Sequence, residues 1–203
     1  MRKIAMMAGM LMISSTCVFA MPDRVGKADA GFNVGGLVSD SGTLDAAAYY
    51  GLSVSYGIND WFAIGAESGY GDSRTNFTVG GTEHEAPLSR IPLFADLIFR
   101  YPRPENNYAP YGVIGLGVLF TSIHGTGTLS DSRFKLDVDN SFAAKFGAGV
   151  DWAVNDQWML NVEASYVWVG TDARIRSLGT ASTVDSGGLN YWMFTGGAKY
   201  LFN

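Results

Sequence analysis

The sequence predicts an all-β protein, an eight-stranded antiparallel up-and-down transmembrane β-barrel. Three observations lead to this prediction. The end of the chain alternates with period two and collects Trp192, Phe194, Tyr200 and Phe202 on one face, which suits a strand whose outer face meets lipid. The same alternation recurs upstream, between short turns and long loops in strict succession. The chain also opens with the layout of a secretion signal.

The first residues have the three parts of a signal peptide. Arg2 and Lys3 give a positive start, residues 4–13 are apolar, and cleavage is predicted after Ala20. The apolar part is too short for a membrane-spanning helix, which needs about 20 residues. The predicted organisation is a cleaved signal peptide over 1–20 and one outer-membrane β-barrel domain over 21–203.

Cysteine and charge limit the chemistry of the mature chain. Cys17 is the only cysteine and lies in the signal, so a disulfide framework and a cysteine-based metal site are excluded. An alternative has Cys17 acylated as a lipoprotein, but Thr16 precedes it where a small Ala or Gly is expected. Removal of Arg2 and Lys3 with the signal leaves 12 of the 14 basic residues and all 19 acidic ones, so the net charge changes from −5 to −7. Nucleic acid is therefore not expected as a partner.

The mean hydropathy of +0.09 is low for a membrane protein. The longest apolar stretch after the signal is 111–120, and three glycines interrupt it. A barrel explains this composition, because only alternate residues of each strand have to be apolar.

The first four predicted strands carry an apolar face that should point outward. The second is the clearest, since glycine or serine separates each of its apolar residues. Their predicted bounds are 31–38, 50–58, 61–70 and 91–101. The outward residues are Tyr50, Leu52, Val54, Tyr56 and Ile58 in the second strand, Phe62, Ile64 and Ala66 in the third, and Leu93, Ala95, Leu97 and Phe99 in the fourth.

The last four predicted strands repeat the pattern up to the end of the chain. Their predicted bounds are 109–120, 142–154, 158–169 and 189–202. The outward residues are Ile114, Leu116 and Val118 in the fifth strand, Phe146, Ala148, Val150 and Trp152 in the sixth, Leu160, Val162, Ala164 and Tyr166 in the seventh, and Trp192, Phe194, Ala198, Tyr200 and Phe202 in the eighth.

The connections predict the orientation. Short turns are expected at 59–60, 102–107 and 155–156, long loops at 71–90, 121–141 and 170–188, and an intermediate loop at 39–48. Short periplasmic turns and long extracellular loops are typical of bacterial outer-membrane barrels. The predicted location is the outer membrane, with both termini periplasmic.

Aromatic residues concentrate at both ends of the predicted strands, as two interfacial girdles would require. The alternative is a soluble lipocalin-like barrel or sandwich, whose apolar face would point inward. Glycine repeatedly occupies the opposite face, where a soluble surface would favour Lys and Glu. This composition favours the membrane barrel.

The inward face should hold a polar network. Its members are Glu67, Asp96, Arg100, Lys145, Asp151, Glu163 and Lys199. Eight strands enclose a bore just wide enough for side chains, so these ions must pair or stay hydrated. They either pack the bore structurally, which is the favoured interpretation, or line a path for solute. Counting from the turn at 155–156 places Lys145 opposite Tyr166, and we expect Lys145 to pair with Glu163 and with Asp96 across the bore.

No catalytic, cofactor-binding or metal-ligating residue is predicted. Glu83, His84 and Glu85 form a weak metal-binding pattern in a predicted loop. Ser122 and His124 lack a third orienting group and an oxyanion hole. No helix follows the glycines of 115–117 or 147–149, so neither is a dinucleotide motif. We therefore expect neither a cofactor nor an enzymatic activity.

Residues 140–202 resemble the C-terminal half of the OmpW family of small outer-membrane barrels. The similar segments are FGAGVDW at 146–152, NDQWMLN at 155–161, Tyr166 with Thr171-Asp172, LNYWMF at 189–194 and GAKYLF at 197–202. Segment 109–117, APYGVIGLG, is also similar and recurs in OmpA-like and OmpX-like barrels. The resemblance implies a narrow, largely hydrophobic channel that passes small apolar molecules sideways into the membrane. One departure is Asn203, which follows the final aromatic residue.

Three functions follow as hypotheses. The first is a narrow pore for small, mostly hydrophobic solutes. The second is a non-transporting surface barrel that anchors, adheres or gives resistance through its extracellular loops, and the third is a membrane-embedded enzyme. The loop at 121–141 favours the first, because its charged residues leave no apolar tip; they are Asp131, Arg133, Lys135, Asp137 and Asp139. Expected partners are outer-membrane lipid and lipopolysaccharide, the barrel-assembly machinery through the C-terminal strand, and a small hydrophobic solute.

Overall fold

Eight long antiparallel strands close into a barrel, which confirms the predicted fold class. The computed structural model describes residues 20–40, 46–79, 82–102, 106–123, 134–135, 140–170, 174–177, 180–183 and 190–202. The strands are β1 (Ala28–Ser39), β2 (Ala47–Gly57), β3 (Phe62–Val79), β4 (Thr82–Arg100), β5 (Tyr108–Ile123), β6 (Phe134–Lys135), β7 (Ser141–Ala153), β8 (Trp158–Gly170), β9 (Arg174–Ser177), β10 (Thr180–Thr183) and β11 (Tyr191–Leu201). The barrel order is β1-β11-β8-β7-β5-β4-β3-β2, and β10, β9 and β6 form a small separate sheet. Within the described part of the chain, no helix has the length and hydrophobicity needed to cross a membrane.

The apolar face of the barrel points outward, as its alternation predicts. Leu52 is 66% exposed and Leu116 56%, whereas the inward Leu119 on the same strand as Leu116 is fully buried. Soluble proteins rarely expose contiguous apolar patches of more than a few hundred Å². The belt of exposed aliphatic and aromatic residues on all eight strands therefore needs lipid around it, and the soluble alternative, with its apolar face inward, is wrong.

The start of β1 and the end of β11 lie side by side at one end of the barrel, called here the terminal end, and the opposite one is the loop end. The strands at the terminal end are joined by turns that Asn59 and Asn155 shape in the same way. The side-chain oxygen of Asn59 accepts from the backbone N–H of Trp61 and Phe62, at 2.9 and 2.8 Å. Asn155 accepts equivalently from Gln157 and Trp158. Such side chains mimic a backbone turn, which explains why both turns were predictable.

Edge-to-face aromatic pairs occur at both ends. Trp158 and Tyr200 are paired at the terminal end, and Tyr166 and Trp192 at the loop end, with ring centroids 5.1 and 5.2 Å apart. Tyr191 is also an aromatic residue at the loop end of its strand, but it points inward and is fully buried. The alternation requires this, because its neighbour Trp192 points outward.

Several predicted boundaries are wrong at the loop end. The predicted loop at 71–90 is mostly a hairpin, since β3 continues to Val79 and β4 begins at Thr82. Apolar and polar residues do not alternate cleanly in that part of the sequence, so the pattern that marks a half-buried strand is missing. β5 continues to Ile123, and β9 and β10 lie within the predicted loop 170–188. At the terminal end, β1 begins at Ala28 rather than at residue 31.

Some predictions concern residues outside the described ones. The signal peptide is among them except for Ala20, as are His124, Asp131, Arg133, Asp137, Asp139, the Thr171-Asp172 pair, the predicted strand start at 189 and Asn203. The side chains of Glu83, His84, Glu85, Ser122 and Lys135 also lie outside the description.

Candidate functional site

Inward-facing side chains divide the barrel interior into three parts. The loop-end half holds an apolar layer, and the remainder holds two ionic clusters. The apolar layer consists of Leu37, Ala47, Tyr49, Phe94, Leu119, Ala143, Val167, Val169, Tyr191 and Met193. The strands impose this division, because each contributes every second residue to the interior, and on β7, β8 and β11 those residues change from apolar near the loop end to charged further along.

The first ionic cluster surrounds Lys145, whose side chain is 1% exposed. Its Nζ lies 2.5 Å from Glu67 Oε2, 2.9 Å from Asp96 Oδ2 and 3.9 Å from Glu163 Oε1. The structure thus brings together four of the seven predicted network residues. Tyr49, Tyr111 and Ser165 complete this Lys145 cluster: Tyr49 donates to Glu67 at 3.0 Å, Tyr111 to Glu163 at 3.0 Å and Ser165 to Glu163 at 2.5 Å.

Two details of the predicted pairing are wrong. Lys145 lies opposite Val167, not Tyr166, because directly opposed residues share a face and Tyr166 points outward. The backbone N–H of Val154 bonds to the carbonyl of Trp158 at 2.8 Å, so the connection contains one residue more than the predicted 155–156 turn. Asp96 reaches Lys145 along the same wall, not across the bore, since β5 alone separates their strands.

Gly115 makes the contact between Asp96 and Lys145 geometrically feasible. It lies directly between the two residues, paired with Asp96 on one side and with Lys145 on the other. A Cβ at Gly115 would overlap Asp96 Oδ1 and lie 3.2 Å from Lys145 Cε. The absence of a side chain here lets the two charged groups meet over the strand between them.

Gly115→Ala should therefore destabilise the barrel. We expect a loss of about 1–3 kcal/mol in the free energy of unfolding, as for other overpacked sites. The measurement is a urea titration in lipid vesicles. Gly112→Ala is the matched control on the same strand, because its Cβ would meet its nearest neighbour, the Gly147 carbonyl, only at 3.8 Å. Equal losses in the two variants would contradict this role of Gly115.

The second ionic cluster lies at the terminal end and contains the other three predicted residues. Asp151 accepts from Arg24 at 2.7 Å and from Lys199 at 2.9 Å. Arg100 donates to Ser55 at 3.1 Å and to Asp29 at 3.4 Å, and Ser55 donates to Asp29 at 2.7 Å. This terminal cluster comprises Arg24, Asp29, Ser55, Arg100, Asp151 and Lys199.

Sequence reasoning missed Arg24 and Asp29. Asp29 precedes the predicted start of the first strand, although extending the alternation back from Asn33 would have placed it inward. Arg24 had no detectable signal, because it belongs to an irregular segment, residues 21–27, called here the N-terminal strap. The strap crosses the terminal end from a bond between Met21 N and Asn106 O to a bridge between Val25 and Gly57.

Little space remains between the two ionic clusters. The cavity there has a volume of about 30 Å³, and Asn33, Glu67, Tyr111 and Asn161 are among its lining residues. A single water needs about 10–15 Å³, so this space suits one or two waters. A pocket of about 480 Å³ lies at the strap and the terminal rim, with Arg24 and Arg100 among its lining residues. Among the described side chains, no three His, Cys, Asp or Glu residues form a metal site.

Comparisons with known proteins agree with this architecture. The family described as "Outer membrane protein beta-barrel domain" matches residues 8–203. Outer membrane protein W of Vibrio cholerae is 29% identical over 132 residues, which cover 61% of this chain and 55% of that protein. Outer membrane protein W of Escherichia coli is 30% identical over 102 residues, which cover 48% and 47%. The chain therefore spans about half the length of the curated relatives it matches.

Among solved structures, the outer membrane protein OprG of Pseudomonas aeruginosa is similar, with a TM-score of 0.65 and 17% identity, covering 90% of this chain and 98% of that one. At this identity the likeness concerns the fold alone. The resemblance to outer membrane protein W that the C-terminal half predicts is confirmed by the curated relatives. With a family match over almost its whole length, the chain belongs to the outer membrane protein beta-barrel domain family and is a bacterial outer-membrane β-barrel that resembles outer membrane protein W.

Proposed function

We propose that the barrel passes small, mostly hydrophobic solutes from its loop end sideways into the membrane, and not along the whole bore. The observation that carries this proposal is the apolar layer stacked on two closed ionic clusters. The side chains of the loop-end half are apolar, the lining that sites for apolar molecules use. To go further it would have to displace paired, buried ions, which is costly.

An interruption between β3 and β4 supports a sideways exit. Their pairing runs from Phe62 to Ser68 and resumes at Gly71, in the same register. Gly69 and Tyr70, which lie between these paired segments, face Ile91 and Pro92. Proline has no N–H to donate, and Pro92 still pairs with Leu119 on β5, so the interruption lies on the β3 side. Pro92 points inward beside the apolar layer, and it is fully buried.

Solute uptake by bacterial cells tests the proposal. Cells with the wild-type barrel should take up radiolabelled naphthalene faster than cells without it, because lipopolysaccharide slows apolar solutes. Pro92→Thr, which restores a backbone donor, should lower this rate. Pro110→Thr is the matched control, at the terminal end of β5. Folding of each variant is checked by heat-modified gel mobility, and equal uptake with and without the barrel would refute the proposal.

The filled interior favours one other function. A barrel whose bore is closed by ion pairs suits a non-transporting surface protein that acts through its loops. Neither function assigns catalysis to the chain. If this is the function, cells with and without the barrel should take up naphthalene at the same rate.

We also propose that both termini lie in the periplasm, where the assembly machinery would recognise the C-terminal strand. The motivating observation is the Asn-shaped turns at the terminal end. A tag inserted between Gly125 and Asp131 should be labelled on intact cells, whereas one at Arg103-Pro104 should be labelled only after the outer membrane is opened. The reverse pattern would invert the orientation.

A further inference from the structure

Among the residues that the structure describes, Arg90 is a buried cation without an anion. Its side chain lies inward on β4 and is 3% exposed. Its Nε and Nη2 have no hydrogen-bond partner, and no carboxylate of the described residues pairs with it. The guanidinium instead lies over the ring of Tyr191, 5.4 Å from its centroid. An unpaired buried charge is costly, and native proteins rarely leave one.

The other buried cations of the interior differ from Arg90 in this respect. Each of them has a carboxylate oxygen within 3.4 Å; they are Arg24, Arg100, Lys145 and Lys199. The barrel therefore supplies a counter-ion wherever a cation helps to close the bore. At Arg90 the described residues supply no counter-ion. Its guanidinium can only donate hydrogen bonds, so it requires an acceptor from elsewhere.

Two unpartnered hydroxyl groups belong to the same region. Thr121 lies directly opposite Arg90 on β5, and its Oγ1 is buried without a partner. The Oη of Tyr191, whose ring the guanidinium covers, is also buried without a partner. A hydroxyl can donate to an anion. Unused donors thus come from three strands, β4, β5 and β11, to Arg90 and its two neighbours.

The residues that follow Arg90 indicate what the anion is attached to. The next inward residues on β4 are Pro92 and Phe94, and then Asp96 of the Lys145 cluster. The Arg90–Asp96 separation is about 20 Å along a strand, at about 3.3 Å per residue. A molecule bound by its anionic head at Arg90 would therefore place a short apolar body in the apolar layer. The single positive charge matches a monoanion, and the guanidinium fork matches a carboxylate.

We propose that Arg90, with Thr121 and Tyr191, binds the carboxylate of a small amphiphilic acid whose apolar part occupies the apolar layer. This inference rests on the proposed function and specifies its solute class. Such an acid can arrive from the medium, as a short free acid, or from the membrane, as a long-chain fatty acid.

Calorimetry on the refolded barrel in nanodiscs tests the site, with empty nanodiscs as the blank. The probes are octanoate and its neutral analogue 1-octanol. Wild type should bind octanoate at least about tenfold more tightly than 1-octanol, because hydrogen bonds to charged groups contribute that much. The quantity compared below is this ratio of the two affinities. Arg90→Met should reduce this ratio to about one, and Arg24→Met, which changes a cation already paired with Asp151, should preserve it.

Two further variants and a competition experiment complete this test. If Arg90→Met does not fold, Thr121→Val and Tyr191→Phe should each lower the ratio severalfold. Oleate incorporated in the nanodisc distinguishes the sources: competition with octanoate indicates the membrane, and its absence indicates a free acid. A wild-type ratio near one overturns the Arg90 site, and if naphthalene uptake still exceeds that of cells without the barrel, the proposed function stands. A folded Arg90→Met barrel that keeps the wild-type affinity ratio also overturns the Arg90 site.

Discussion

Lys145→Met should lower the free energy of unfolding in lipid by about 3–5 kcal/mol, the usual cost of breaking a buried ion pair from one side. Lys145 is surrounded by Glu67, Asp96 and Glu163, at 2.5, 2.9 and 3.9 Å. Without the ammonium group, three carboxylates would face one another in a nearly closed interior. The measurement is a urea titration of the barrel in lipid vesicles, followed by tryptophan fluorescence.

Double variants distinguish the partners. Adding Glu67→Gln to Lys145→Met should recover more stability than adding Glu163→Gln, because Glu67 makes the shorter contact with the ammonium group. Residues in one network show non-additive effects, whereas separate residues show additive ones. Strictly additive losses for both doubles would mean that Lys145 does not bind these carboxylates.

Leu116→Arg should cost about 2–4 kcal/mol in lipid, as expected for a charge near the middle of the bilayer. Leu116 points outward near the middle of β5 and is 56% exposed. Its surroundings in the membrane are hydrocarbon, which cannot solvate a guanidinium.

Ile58→Arg is the matched control for this substitution. Ile58 also points outward and is 50% exposed, but it lies beside the Asn59 turn at the rim, where the expected cost falls to about 0–1 kcal/mol. The same vesicle titration measures both variants. No loss for Leu116→Arg, or equal losses for the two, would show that the belt does not meet lipid.

The sequence predicted the barrel wherever one face of a strand is apolar. Period two identified the eight strands and their outward faces, because burial in lipid selects alternate residues. It failed where that selection ends: residues 73–88 show no clean alternation of apolar and polar residues, and the strap before Ala28 is not a strand. Composition carries little signal for either of these segments.

The interior was predicted in part: Lys145 contacts Asp96 and Glu163 as expected, whereas its contact with Glu67 was not predicted. Alternation alone places Lys145, Glu67 and Asp96 inward. The contact of Lys145 with Glu67 depends on the stagger of the closed strands, and the route to Asp96 along the wall depends on Gly115 between them; no local pattern reveals either. The register error at Val167 came from a turn one residue longer than Asn155-Asp156 suggested. Arg90 was overlooked because it lay in a predicted loop.

Paired ions close the bore, so ions should not pass along it. Single-channel recording of the refolded barrel in a planar lipid bilayer tests this closure. We expect no stepwise ion conductance for wild type, and conductance steps once Glu67, Asp96 and Lys145 are all replaced by alanine. Steady stepwise conductance in wild type, unchanged in that triple variant, would contradict it.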